Sequence, residues 1–242
     1  MIFRSSLQCP DLMPHFKHLV SRPMGHSFGH DVPSDWGDKP DDDPVFGQFK
    51  NCGMWTHDEA AILYNVARRA PGVWIDIGAH SGWTTMHIGY GCNICYGIEP
   101  MLAVPEFAIR FYDNMDGWMG FGSQAMYSDN YFSKVAPGVK FNGFCIDGCH
   151  EDGQPQRDAN NAEKHLADTG VIIFHDGVGR PVREAAQMLM AHGFKCRAYF
   201  TPYLVLCCWR GDFTPPDHEG DPVVKAAHLD GRYPDFDFTR CE

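Results

Sequence analysis

Through the middle of the chain two hydrophobic rhythms take turns. "THDE" is a capping box in which Thr56 caps and Glu59 reaches back. After it Ala60, Leu63, Tyr64 and Ala67 recur at helical spacing until Pro71-Gly72 stops the run. "VWIDI" then reads as a short buried strand, and "TTMHIGY" as a helix that begins straight after Gly82. "ICYGIE" predicts a second strand. Pro105 to Met115 predicts a helix with Ala108, Phe111, Tyr112 and Met115 on one face. "GSQAMYS" is a weak third strand and "FNGFCID" a fourth. Pro155 to Asp168 follows as a helix, with Pro at its start and Gly170 past its end. "GVIIFHD" predicts the fifth strand. Val182, Ala185, Ala186, Leu189 and Met190 mark an apolar helix face that Gly193 closes. "KCRAYF" and "LVLCCW" end the series as two strands whose short connection implies an antiparallel pair.

Strand and helix alternating in this way predict an α/β fold. The expected architecture is a Rossmann-like, seven-stranded, mostly parallel sheet with a C-terminal antiparallel hairpin and helices on both faces. Residues 1–52 are rich in Pro, Gly, Asp and His and read as an irregular arm. Residues 53–211 hold the α/β domain, and residues 212–242 read as a polar tail. Ligands of such sheets bind outside the carboxyl ends of the strands. Asp76, Glu99, Asp147 and Asp176 all fall at predicted strand ends, so four carboxylates are expected on one rim.

Composition narrows the classes. Hydrophobic residues make up 44% of the 242, enough for a sizeable core. The formal net charge of −11 opposes a phosphate backbone, so nucleic acid is not an expected partner. No stretch approaches the roughly 18 apolar residues of a membrane span, and no apolar leader is visible. A cytoplasmic protein acting on a small-molecule substrate is expected, and an oligomer is compatible with the sequence. The ten cysteines sit largely in apolar runs and read as reduced core thiols.

Chemistry concentrates in "WIDIGAHSGWTT". Gly78 and Gly82 let the backbone pass close to a ligand, and the helix after them offers free N–H groups. Glu99, 21 residues beyond Gly78, can accept both hydroxyls of a ribose. A dinucleotide enzyme wants G-x-G-x-x-G, but the second glycine position is His80 here, and Asp76 stands beside the turn. A bulky side chain and a carboxylate oppose a pyrophosphate. They suit S-adenosylmethionine, which has no phosphate and carries a cationic sulfonium and an ammonium group.

At these residues the chain resembles the class I S-adenosylmethionine-dependent methyltransferases. "WIDIGAHSG" looks like their glycine motif and "GIEP" like their acidic ribose loop. "GFCIDGCHEDGQPQRDANNAEKHLADTGVIIFHD" resembles a block of the small-molecule O-methyltransferase subgroup that includes macrocin-type and catechol-type enzymes. The resemblance implies methionine binding around Gly78 to Gly82, with Asp76, His80 and Asp147 nearby. It further implies ribose binding at Glu99 and adenine contacts at Ser128 and Asp129. It places Asp147 and Asp176 where metal-dependent relatives bind Mg²⁺, although those relatives follow the second aspartate with an asparagine ligand and this chain has Gly177. His150 and His175 flank the two aspartates, and either serves as general base if no metal is used. Asp147, His150 and His175 are therefore the catalytic candidates. The expected reaction is O-methylation of a small-molecule or sugar hydroxyl. A nicotinamide-dependent oxidoreductase and a non-catalytic cofactor-binding domain stand as alternatives.

Overall fold

The computed structural model describes residues 7–16, 55–151 and 153–241. The rest of the N-terminal arm lies outside the described residues. The strands are β1 (Val73–Ile77), β2 (Ile94–Ile98), β3 (Phe121–Gln124), β4 (Phe141–Ile146), β5 (Leu166–Phe174), β6 (Lys195–Tyr199) and β7 (Val205–Arg210). They form one sheet in the order β3-β2-β1-β4-β5-β7-β6. The first five are parallel, while β7 runs antiparallel between β5 and β6. This is the expected fold. Its hairpin is joined by residues 200–204, too few for a parallel crossover.

Helices cover both faces: α1 (His57–Arg69), α2 (Trp83–Gly91), α3 (Pro105–Asn114), α4 (Ser128–Phe132), α5 (Gln154–His165), α6 (Arg180–Ala191) and α7 (Pro222–Leu229). Successive strand residues point to opposite faces. Trp74, Cys95, Cys145, Ile173, Cys207 and Trp209 therefore pack on one side, with residues of α1 and α2. Ile75, Ile77, Phe144, Ile172, Phe174 and Cys208 pack on the other, with residues of α5 and α6. Every residue of α2 from Trp83 to Gly89 is buried, the mark of a helix enclosed on all sides. Most of the cysteines lie in these cores, and every cysteine among the described residues is free.

Three expectations need correction. The helix expected to run to Asp168 ends at His165, because β5 starts early: Leu166 pairs with Phe141 across a register shift and has no exposed surface. Arg210 meets the Ala167 carbonyl at 3.0 Å, so long-range pairing wins over local helix preference there. Asp76 is not at a strand end. It lies inside β1, opposite Gly97 and Cys145. Last, the segment read as a polar tail folds back on the domain. Asp221 caps α7, and Phe213, Val224, Tyr233 and Phe236 are buried. Buried Arg183 pins it: one guanidinium nitrogen donates to both oxygens of Asp235 at 2.9 and 2.8 Å, and another to the Gly177 and Val178 carbonyls.

Candidate active site

Strand order reverses at β1. The chain runs from β1 outward to β2 and β3, then returns to place β4 on the other side of β1. The carboxyl ends of β1 and β4 are thus adjacent and their following loops diverge, which opens a crevice. Asp147 N donates to the Ile77 carbonyl at 2.9 Å and Gly78 N to the Ile98 carbonyl at 2.9 Å, so the loops after β1, β2 and β4 are tied at their roots.

Gly78 sits at this seam with φ +85°. A Cβ there would lie 2.1 Å from the Asp147 carbonyl oxygen, a backbone atom with nowhere to go. Gly82 has φ +91° and opens α2, but its Cβ would strike Met115 Cε at 2.0 Å. The backbone of the β4 loop therefore requires Gly78, whereas at Gly82 the left-handed φ favours glycine, because the Met115 methyl can shift. His80 between them holds φ +43°, an unusual conformation for a residue with a side chain. Its amide donates to Glu99 Oε2 at 3.0 Å, and Met101 N donates to Glu99 Oε1 at 2.9 Å. Two backbone donors thus fix the Glu99 carboxylate on the crevice wall, with lone pairs left over.

The crevice is a cavity of about 460 Å³, within the usual range for small-molecule sites. Gly78, His80, Glu99, Ser128, Asp129 and Asp147 all line it. Asp76 and Gly82 do not. Asp76 is wholly buried, and its Oδ2 accepts from the Thr84 and Thr85 hydroxyls at 2.7 and 2.6 Å in the first turn of α2. Burial outweighs those bonds and raises its pKa to about 6. Burial likewise lowers the pKa of His80, against the pull of Glu99 and Asp147, and its ring meets Phe107 edge-on at 5.2 Å.

The charge of the lining is lopsided. Glu99, Asp129, Asp147, Glu151 and Asp158 face Arg157, itself paired with Asp129 at 3.6 Å. Such a wall repels a pyrophosphate and attracts a sulfonium and an ammonium group. The residues present fit S-adenosylmethionine: a fixed carboxylate for a ribose diol, and surplus negative charge for the cationic end.

At one end of the crevice stands the cluster expected to carry chemistry. His150 Nε2 lies 3.6 Å from Asp147 Oδ1 and its Nδ1 3.5 Å from Asp176 Oδ2, with the side chain 31% exposed. His175 is wholly buried, with Nδ1 3.3 Å from Asp147 Oδ1 and 3.4 Å from Asp176 Oδ2. Burial alone would lower the His175 pKa, but Asp147, Asp176 and Glu59 together hold it well above the ordinary histidine value. Asp176 takes up φ +55°, held by Gly179 N donating to its carbonyl at 2.7 Å and by Gly177 N reaching Leu204 O at 2.9 Å. Backbone strain of this kind gathers at functional sites.

Two members of the cluster escape a sequence reading. Trp55 Nε1 donates to Asp147 Oδ2 at 2.6 Å, and the indole stacks on His175 with centroids 4.3 Å apart. Glu59 completes the capping box as expected, but its wholly buried carboxylate also faces His175 Nε2 at 3.4 Å and accepts from Tyr203 N at 3.2 Å. The capping box was the available signal for Glu59. It located the carboxylate in the chain and said nothing of a partner 116 residues away.

The expected Mg²⁺ does not suit the cluster as built. Magnesium prefers six oxygen ligands. Here an imidazole nitrogen stands between the two carboxylates, and Gly177 brings no side chain.

Residues 75–177 match the family model described as a methyltransferase domain. No curated protein matches the sequence significantly. Among solved structures, the precorrin-6y C5,15-methyltransferase of Geobacter metallireducens superposes with a TM-score of 0.54 at 14% identity, over 65% of this chain and 91% of that one. The O-methyltransferase TomG of Streptomyces achromogenes, solved with S-adenosylmethionine, gives 0.52 at 14% identity, over 63% and 80%. An O-methyltransferase of Bacillus cereus, solved with S-adenosylhomocysteine, gives 0.50 at 13%, over 62% and 80%. These likenesses are likenesses of fold. Residues 75–177 thus match a methyltransferase domain, and the sheet has the fold of these methyltransferase structures.

Proposed function

We propose that this enzyme methylates a hydroxyl of a small molecule, with S-adenosylmethionine in the acidic crevice and the acceptor beside Asp147 and His150. The observation that carries the proposal is the crevice wall: five carboxylates against one arginine, with Glu99 already fixed by two amides. That wall disfavours the nicotinamide alternative, whose pyrophosphate would face the same carboxylates.

When bound, S-adenosylmethionine supplies an electrophilic methyl group on a cationic sulfur. The chain supplies position and a proton acceptor. Glu99 offers its spare lone pairs to the ribose diol, while Ser128 and Asp129 border the adenine end. In-line displacement gains most from such alignment. A hydroxyl also needs its proton removed, and His150 is the imidazole with surface to meet it. Asp147 and Asp176 flank His150 and stabilise the imidazolium that forms. His175 has no exposed surface and is covered by Trp55 and Tyr203, so the base role falls to His150.

Calorimetry with S-adenosylhomocysteine and with NAD⁺ tests the cofactor: the first should bind and the second should not. Methyl-labelled cofactor with a panel of phenolic, catecholic and sugar acceptors then tests the transfer. Folded protein that ignores S-adenosylhomocysteine would sink the proposal.

A further inference from the structure

The turn that carries Asp176 is built against its own preference. Asp176 holds φ +55° and Leu204, in the β6–β7 connection, holds φ +59°. Residues with a side chain keep such conformations only where their surroundings impose them. The two turns are joined: Gly177 N donates to the Leu204 carbonyl at 2.9 Å, and Val178 N to the Tyr203 carbonyl at 3.3 Å. A Cβ at position 177 would lie 2.4 Å from that Leu204 oxygen, so the contact accounts for the glycine after Asp176. The carbonyls of the same turn go to one side chain. Arg183 Nη1 donates to Gly177 O at 3.0 Å and to Val178 O at 2.8 Å.

Arg183 lies in the first turn of α6 and is only 5% exposed. A guanidinium buried this far needs a counter-charge. Asp235 supplies it through both oxygens, at 2.9 and 2.8 Å, and the Tyr233 ring lies 4.4 Å from Cζ. The second turn is held from the same segment. His228 Nε2 donates to the Thr201 carbonyl at 2.8 Å, and its Nδ1 meets the Tyr233 hydroxyl at 3.1 Å. Both strained turns at the acceptor end of the crevice therefore rest on residues 228–235, in the stretch that reads as a tail.

We propose that Arg183, with Asp235 behind it, is a positioning residue for the proton transfer: it locks the turn that presents Asp176 to His150. The inference rests on the reading of His150 as the proton acceptor. His150 Nδ1 stands 3.5 Å from Asp176 Oδ2, and a backbone rotation at 176 or 177 would change that separation first. The residue type fits the task. Two carbonyls and a carboxylate are served at once by a planar fork of five donors that keeps its charge, which a lysine ammonium does not reproduce. Asp235 touches none of the crevice lining, so its effect on the chemistry passes through Arg183.

The test uses the full chain labelled with ¹⁵N-histidine, well below its melting temperature. The His150 imidazole signal is identified by its loss in His150→Gln. Asp235→Ala should move that signal, because Arg183 loses its counter-charge and releases the two carbonyls. Asp235→Asn keeps one acceptor oxygen and should move it less in the same direction; it carries the test if Asp235→Ala does not fold. Asp237→Ala removes a carboxylate that caps Thr239 in the same segment without meeting Arg183, and should leave the signal in place. S-adenosylhomocysteine affinity should stay at the wild-type value in all three. With an acceptor that turns over, kcat of Asp235→Ala should fall about 10- to 100-fold while the cofactor KM holds. A His150 signal unmoved in the folded Asp235 variants would overturn the proposal, as would an equal move in Asp237→Ala. Cofactor affinity that falls along with the signal would also overturn it, by making Arg183 a general support of the crevice. Wild type that ignores S-adenosylhomocysteine counts against the methyltransferase reading, while the His150 signal still decides whether Arg183 sets the turn.

Discussion

Glu99→Gln is the sharpest perturbation of the cofactor site. The carboxylate has about four lone-pair positions, and the His80 and Met101 amides occupy two of them. The two that remain match the two hydroxyls of a ribose. A glutamine keeps one oxygen, so it can hold one amide and one hydroxyl, while its NH₂ turns donor against donor toward the others. The cofactor then loses one charge-assisted bond outright and the charge assistance on the second. With charged hydrogen bonds at about 1.5–3 kcal/mol and neutral ones near 1, the net loss is about 2–5 kcal/mol. That is a Kd weaker by roughly 30-fold to a few thousandfold. The free protein should also melt lower, because one part-buried amide loses its acceptor. Calorimetric titration with S-adenosylhomocysteine, well below the melting point of the variant, reads the affinity directly. A Kd within threefold of wild type in folded Glu99→Gln would remove Glu99 from the ribose site and leave it as a brace for the glycine turn.

Four further outcomes are expected. His150→Gln should reduce methyl transfer by about 10²–10⁴-fold while S-adenosylhomocysteine affinity stays near wild type; an equal fall in both would deny the base role. Asp76 has a folded pKa of about 6 against an ordinary 3.8, so the folded state takes up a proton between those values while the unfolded chain does not. Wild type should therefore gain about 2.4 kcal/mol on Asp76→Asn as pH falls from 8 to 4, and parallel urea-melt stabilities for the two proteins would refute this. Arg183→Met removes the bidentate contact to Asp235 and the two carbonyl contacts. Because Asp235 is partly exposed, the loss should fall near 2–4 kcal/mol, below the full value of a buried pair, with faster proteolysis after residue 211 as the local sign. Gly78→Ala drives a Cβ to 2.1 Å from the Asp147 carbonyl in a left-handed conformation, so melting temperature and cofactor affinity should fall together, and a neutral result would mean the β1 and β4 loops are not clamped.

The order and type of the elements were legible in the sequence because they rest on local rules. Period-two and period-3.6 runs, the Thr56–Glu59 capping box and the short 200–204 connection depend on residues close in the chain. The positions of Gly78, Glu99, Asp147 and Asp176 were legible for a related reason: a strand's end is where a parallel sheet exposes its loops. What those residues touch was not legible. Asp76 reads like the other three, yet one residue's difference in register turns it away from the crevice and under α2. Gly82 reads like a cofactor glycine, and in the structure it lies outside the crevice and serves the left-handed turn, φ +91°, that opens α2. Glu59 reads as a cap, and only the return of β5 and the β6–β7 connection to the start of α1 gives it His175 and Tyr203 as partners. Sequence periodicity sets which face of each element is apolar. Which buried polar atoms meet across those faces is decided when the sheet closes, since a buried donor or acceptor must be satisfied by whatever packing brings near.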